Sequence, residues 1–136
     1  MRRIPWISTT WEEGRVFDRW MVVHFVSGVA GGFSNVLFGL PTRGVYALGL
    51  SLLLLWEVGE HLQRVGESWE NRALDLAVGA AGIWVALWCA ARLTDGQEVL
   101  AFAASTATAV LGSVLGGLAS VARKRAAAAT DRGPTP

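Results

Sequence analysis

Charge and cysteine are scarce in this sequence. Only 17% of its 136 residues are charged and 52% are hydrophobic, and the charged residues fall in clusters with long uncharged runs between them. This pattern excludes an ordinary water-soluble domain and is typical of a chain that crosses a membrane several times. The single cysteine, Cys89, lies in an apolar run and has no second cysteine with which to form an internal disulfide.

The length of the chain limits what these apolar runs can build. Because a membrane span takes about 20 apolar residues, this length holds roughly four spans with short loops and tails. The predicted fold is therefore all-α, a four-helix transmembrane bundle that leaves no room for a separate soluble domain. Its predicted parts are an interfacial N-terminal segment at 1–19, spans at about 20–40, 45–60, 69–93 and 99–122, and a basic, then flexible, C-terminal tail at 123–136.

Local signals mark the ends of the predicted spans. The stretches 41–44 (Pro-Thr-Arg-Gly) and 94–96 (Thr-Asp-Gly) are rich in turn-forming residues. Ser68 precedes the third span and is a residue type that caps helix N-termini. These signals divide the chain into the four spans given above.

The positions of Lys and Arg predict the orientation of the bundle. With four spans, one side of the membrane carries four in the N-terminal segment, two in the connection between the second and third spans, and four in the C-terminal tail. The opposite side carries only Arg43 and Arg92. Since positive charge is enriched in cytoplasmic loops, both termini are predicted to be cytoplasmic, in a multi-pass protein of the cell (inner or cytoplasmic) membrane.

The four-span arrangement brings several polar side chains to one depth near the cytoplasmic face. An ionisable group inside the hydrocarbon costs about 2.5–3.5 kcal/mol on insertion scales, so Glu57 and Asp75 indicate a functional site. Glu57 also shares a helix face with Glu60 and His61, which lie three and four positions further on. The residues at this depth are His24 in the first span, Glu57, Glu60 and His61 at the end of the second, and Asn71 and Asp75 at the start of the third.

Small residues recur every four positions in the first and fourth spans. Such stripes let helix backbones approach closely, and we expect them to pack inside the bundle. The alternative is that one face of the fourth span pairs with another subunit, through Gly112, Gly116 and Gly117. The stripes are His24, Gly28 and Gly32 in the first span, and Ala104, Thr108, Gly112, Gly116 and Ser120 beside Ser105, Ala109, Ser113 and Gly117 in the fourth.

Three motifs follow one another along the chain. They are His24-Phe25-x-x-Gly28, Trp56-Glu57-x-x-Glu60-His61, and Glu67-Ser68-x-x-Asn71-x-x-x-Asp75-x-x-x-Gly79-x-x-Gly82. In this order they resemble the VanZ-like and YjdF-like group of small bacterial membrane proteins, over residues 20–93. The resemblance implies a bundle with an acidic centre near one membrane face, in families whose biochemistry is largely unassigned.

Carboxylates and imidazoles at one depth form a ligand set suited to Mg²⁺, Mn²⁺, Fe²⁺ or Zn²⁺. Such an ion at the headgroup level would polarise a lipid phosphate or ester and activate water. Without a metal, Glu57 and Asp75 form an acid–base pair, and they are the predicted catalytic residues. The predicted metal ligands are His24, Glu57, Glu60, His61 and Asp75, the predicted phosphate-binding residues are Arg19, Arg64 and Arg72, and Asn71 is the predicted polar support.

Two alternatives stay open at this point. The same polar groups serve equally well as interhelical hydrogen bonds, worth about 0.6 kcal/mol each on average. The small size and the small-residue faces also suit a non-catalytic accessory or structural subunit of a larger membrane complex. Transport is disfavoured, because the last two spans carry no deeper acidic residue. The sequence therefore predicts a membrane protein that binds a divalent cation or a lipid headgroup, with membrane lipid and not nucleic acid as its partner.

Overall fold

The computed structural model describes residues 7–8, 10–11, 17–62 and 68–130. Within these ranges the protein is helical and contains no β-strand, apart from an isolated parallel bridge between Ile7 and Phe17. The prediction of an all-α fold is confirmed. The helices are α1 (Arg19–Phe33), the short α2 (Asn35–Phe38), α3 (Thr42–Leu62), α4 (Trp69–Ala90) and α5 (Asp95–Thr130).

Side-chain caps fix where two of these helices begin. Asp18 caps α1, because its Oδ1 accepts hydrogen bonds from the backbone N–H groups of Trp20 and Met21 at 2.9 and 3.3 Å. Ser68 caps α4 in the same way, since its Oγ accepts from the N–H of Asn71 at 3.2 Å. The capping role predicted for Ser68 is thus confirmed. Both caps lie at the end of the bundle where the polar side chains gather.

Helix α1 is the central element, and it packs most extensively against α4. A Cβ atom at Gly28 would overlap the backbone carbonyl of Gly79, and one at Gly82 would overlap the carbonyl oxygen of Phe25. The two backbones are therefore in direct contact, which only glycine permits at these positions. The predicted internal packing of the small residues in the first span is confirmed here.

The last helix also turns small residues toward α1. A Cβ at Gly112 would lie 2.9 Å from the side chain of Val23, and one at Gly116 would meet the indole of Trp20. Gly117 has open space around it. Two of the three glycines predicted to pair with another subunit therefore face the chain's own first helix. Pairing through this helix stays a prediction that rests on its outward face at Gly117.

Apolar side chains cover the outside of the bundle. Three helical stretches are long and apolar enough to cross a membrane: Arg19–Phe38, Trp69–Ala90 and Asp95–Ala129. In the last stretch, only 11% of its most apolar 18 residues are buried inside the protein. Most of that surface therefore needs an apolar surrounding. Within the described residues, no stretch of α3 meets the same criterion of length and apolarity. Three candidate spans, and not four, are therefore found among the described residues.

The helices extend differently from the predicted spans. Helix α1 stops at Phe33, and the short α2 follows and ends at Gly39, whose φ of 59° is a left-handed conformation that favours glycine. Helix α5 continues past residue 122 through its basic residues to Thr130. The reason is that four consecutive alanines follow Arg125, and alanine is the strongest helix former.

Candidate metal centre

Three helices bring one ionisable side chain each to a common point. His24 of α1, Glu57 of α3 and Asp75 of α4 are 4%, 7% and 1% exposed. The Nε2 atom of His24 lies 3.3 Å from Oε1 of Glu57, and its Nδ1 atom lies 3.7 Å from Oδ1 of Asp75. One ligand atom from each residue lies within 4.8 Å of the other two. We call this group the triad.

The imidazole of His24 is held in one orientation. Its Nδ1 atom lies 2.9 Å from the backbone carbonyl oxygen of Trp20, one turn earlier in α1. Because a carbonyl oxygen only accepts hydrogen bonds, Nδ1 carries the proton and donates it. The Nε2 atom therefore faces Glu57 with either a lone pair or a second proton. A histidine that donates one ring N–H to a carbonyl and turns the other nitrogen toward a carboxylate, here that of Glu57, has the arrangement usual for a metal ligand.

Glu57 is buried without the hydrogen bonds that a carboxylate needs. Neither of its oxygens has a hydrogen-bond partner among the described residues, because the Nε2 atom of His24 is close but poorly aligned. The guanidinium of Arg72 lies nearby, with its Nε 3.9 Å from Oε2. Burying an ionised carboxylate without close partners is strongly unfavourable. A cation between Glu57 and His24 would remove this penalty.

A second set of contacts, made by the side chain of Asn71, positions Asp75. The amide of Asn71, one turn earlier in α4, donates to Oδ2 of Asp75 at 3.2 Å and to Oδ2 of Asp18 at 3.3 Å. Asn71 is fully buried, and it links α4 to the residue that caps α1. This geometry is what the polar support predicted for Asn71 requires. Asp18 was not among the predicted site residues, although an Asp directly before an apolar run is a recognisable capping signal.

Carboxylates predominate among the buried ionisable side chains that the structure describes at this end of the bundle. In the described part of the chain the buried ionisable groups are the carboxylates of Asp18, Glu57 and Asp75 and the imidazole of His24. No lysine or arginine of the described residues is buried there, and the partly exposed Arg72 lies beside Glu57. A divalent cation would offset part of the negative charge of these carboxylates.

The other predicted site residues lie apart from the triad or outside the described side chains. Arg19 lies over the indole of Trp11, with its guanidinium carbon 5.7 Å from the ring centroid. Glu60 and His61 belong to α3, but their side chains are outside the described part of the structure, and so is Arg64 entirely. Of the five predicted ligands, the structure brings together His24, Glu57 and Asp75.

Comparison with known proteins adds no relative to this picture. No family model matches the chain, and neither a curated protein nor a solved structure is significantly similar to it. The chemistry of the triad is therefore the guide to function.

The triad has the donor set of a divalent-metal site. One imidazole nitrogen and two carboxylate oxygens suit Zn²⁺, Fe²⁺, Mn²⁺ or Mg²⁺, in decreasing order of preference for nitrogen. Ligand atoms at about 2.1 Å from one ion lie about 3.0–3.5 Å apart, close to the 3.3 Å between Nε2 of His24 and Oε1 of Glu57. One ligand atom of each residue of the triad lies within 4.8 Å of the other two. Small side-chain movements would complete such a site. A shared proton between His24 and Glu57 is the simplest alternative occupant of the same space.

Proposed function

We propose that the protein is a multi-pass membrane protein that binds one divalent cation at His24, Glu57 and Asp75 and presents it to a lipid headgroup. The observation that carries this proposal is the convergence of Nε2 of His24 and the buried Glu57 carboxylate without hydrogen bonds. Polar side chains that served only to hold the helices together would form pairs of hydrogen-bond donors and acceptors. Here Nε2 of His24 and both oxygens of Glu57 converge without an aligned hydrogen bond, an arrangement that a cation stabilises.

The proposed topology is four spans with both termini in the cytoplasm. Helix α3 returns the chain to the end of the bundle where α1 begins, and its Leu52, Leu54 and Leu55 are exposed on the outside. The guanidinium of Arg123, near the end of α5, donates to the carbonyl of Trp11 at 2.7 Å. The basic N-terminal and C-terminal segments therefore meet at one end, which favours the cytoplasmic side for that end. This topology supports a location of the triad near the cytoplasmic headgroups.

The proposed chemistry follows from the position of the site. A bound cation would act as a Lewis acid toward a phosphate or ester oxygen and would lower the pKa of bound water. Arg72, which lies beside Glu57 and is partly exposed, would hold a phosphate oxygen. The assignments of Glu57 and Asp75 as catalytic, and the membership in the VanZ-like and YjdF-like group, are parts of the same proposal. The second is supported by the motif order alone.

The decisive experiment is elemental analysis of the purified protein in lipid nanodiscs. We expect about one equivalent of metal per wild-type chain and none in Glu57→Gln/Asp75→Asn, after both proteins are incubated with Mn²⁺, Zn²⁺ or Mg²⁺. The matched control is Asp95→Asn/Glu98→Gln, which makes the same chemical changes at the start of α5, outside the triad. Circular dichroism and thermal melting verify that all three proteins are folded.

A second function is favoured by a different observation. The outward face of α5 is long, apolar and only slightly buried, as expected of a helix that contacts another membrane protein. The protein would then be an accessory or structural subunit whose polar residues hold its helices together. Equal metal content in the double variant and the wild type, or none in either at saturating metal, would favour this function over the metal site.

A further inference from the structure

A cleft runs along α1 between walls formed by α3 and α5. Its volume is about 410 Å³, and most of its lining is apolar. Small residues of α1, among them Ser27 and Gly31, form the floor, Leu48 and Leu52 form one wall, and Val110 belongs to the other. Leu52 and Val110 are also exposed on the outside of the bundle. The cleft is thus open sideways, toward the space that lipid occupies in a membrane.

The dimensions of the cleft fit a single hydrocarbon chain. Its floor extends from His24 to Ser34, ten residues along α1, which is about 15 Å at the rise of a helix. This length is about one leaflet of a hydrocarbon core that is about 30 Å thick. The length of the cleft therefore suits an acyl chain of one leaflet that lies along α1.

The inner end of the cleft adjoins the triad. His24 lines the cleft and also turns Nε2 toward Glu57, so one buried side chain belongs to both. A divalent cation held by three protein ligands keeps coordination positions open for water or for an anionic oxygen. The positive charge of such an ion would complement the phosphate of a lipid whose chain occupies the cleft. The triad therefore adjoins the cleft as the phosphate of a phospholipid adjoins its acyl chains.

We propose that the cleft binds one acyl chain of a membrane phospholipid whose phosphate meets the cation at the triad. This inference rests on the proposed metal site and specifies the class of its ligand. Because the cleft covers one leaflet only, the lipid comes from the leaflet on the side of His24. The apolar surface of the cleft would bind the acyl chain, and the cation would bind the phosphate of the headgroup.

The test uses nanodiscs that contain a phospholipid with a photoactivatable diazirine in one acyl chain. Cross-linked peptides are identified by mass spectrometry. We expect labelling of α3 near Leu48 and Leu52 and of α5 near Val110. In Ser27→Leu/Ser113→Leu, which fills the cleft from its floor and one wall, labelling of these peptides should fall about tenfold, the loss expected when roughly two methylene groups are no longer buried. Ser51→Leu, on an exposed position of α3 outside the cleft, should leave the labelling unchanged.

The metal content of the same variants separates this inference from the proposed function. Filling the cleft should leave the metal stoichiometry at the wild-type value, because Ser27 and Ser113 are not ligands. Retained metal with undiminished labelling would overturn the acyl-chain inference and leave the metal site intact. Labelling spread evenly over all lipid-facing helices, or cross-links joining two copies of the chain through these peptides, would overturn it as well. Loss of the label on chelation of the metal would support the placement of the phosphate.

Discussion

At the scale of single residues, Glu57 is the side chain whose surroundings most require an explanation. It is buried, its oxygens have no hydrogen-bond partner in the described part of the chain, and Arg72 is 3.9 Å away. His24 is better fixed, because its Nδ1 is held by the carbonyl of Trp20. Asp75 is fixed by Asn71. Two of the three proposed ligands are thus positioned in advance, and Glu57 would complete the proposed site on binding a cation.

Metal binding should stabilise the wild-type fold and not the fold of Glu57→Gln. A ligand that binds only the folded state adds about 2.7 kcal/mol when its concentration is 100 times the dissociation constant. We therefore expect Mn²⁺ or Zn²⁺ to raise the melting temperature of the wild type in nanodiscs and to leave that of Glu57→Gln unchanged. An equal rise in both proteins would place the bound metal elsewhere.

Asn71→Ala should weaken metal binding without removing a ligand. The amide holds Asp75 at 3.2 Å, and loss of such a supporting contact typically lowers metal affinity about 10–100-fold. Titration with Mn²⁺, followed by electron paramagnetic resonance, measures the affinity. Asn35→Ala, the same substitution at the opposite end of the first helical stretch, is the control. An unchanged affinity in Asn71→Ala would show that Asp75 is positioned by other groups.

At the scale of elements, the contact of α1 with α4 determines whether the triad forms. The helices carry His24 and Asp75, and they meet through glycine backbones at Gly28, Gly79 and Gly82. The four-residue spacing from His24 to Gly28 places the imidazole on the same face as the closest approach. Helix α3 adds Glu57 from a third direction. Packing and site geometry therefore depend on the same interface.

Gly28→Ala should separate α1 from α4. The added methyl group would overlap the backbone of Gly79, which cannot move aside as a side chain can, so we expect a loss of about 1–3 kcal/mol in the free energy of unfolding. Gly117→Ala adds the same methyl group at a helical position with open space and should be neutral or slightly stabilising. Reversible unfolding in mixed micelles of detergent and dodecyl sulfate gives both values. Equal stability of the two variants would contradict the close contact.

At the scale of the whole molecule, the polarity of the bundle is inverted relative to a water-soluble protein. Its buried centre at one end is ionisable, and its exterior carries exposed leucines, valines and tryptophans. Its apolar core is small and centres on Val45, Leu53 and Ile83. An apolar surrounding is the condition under which this distribution is stable. The apolar interior of a membrane is thus the surrounding for which the outer surface is suited.

The proposed topology predicts which positions a membrane-impermeant maleimide can reach in intact cells. In a Cys89→Ala background, Gly96→Cys in the connection before α5 should be labelled from outside. Ala127→Cys, at the exposed end of α5, should be labelled only after the cells are lysed, because the positive residues beside it hold that end in the cytoplasm. Leu111→Cys in the middle of α5 should react in neither case. Labelling of Ala127→Cys in intact cells would reverse the orientation.

The sequence by itself determined the helical class, the apolar exterior and the candidate residues His24, Glu57 and Asp75. Composition and four-residue spacing are sufficient for these, since they depend on one helix at a time.

The tertiary structure decided which polar residues meet. A helical pattern fixes the direction of a side chain only about its own helix axis, and the rotation and crossing of neighbouring helices depend on packing. For this reason the sequence did not predict that Asp18 accepts a hydrogen bond from Asn71 or that Arg19 lies over Trp11. Both contacts depend on tertiary packing. The cleft between α3 and α5 likewise has no counterpart in the sequence, because empty space is a property of how three helices are arranged around α1.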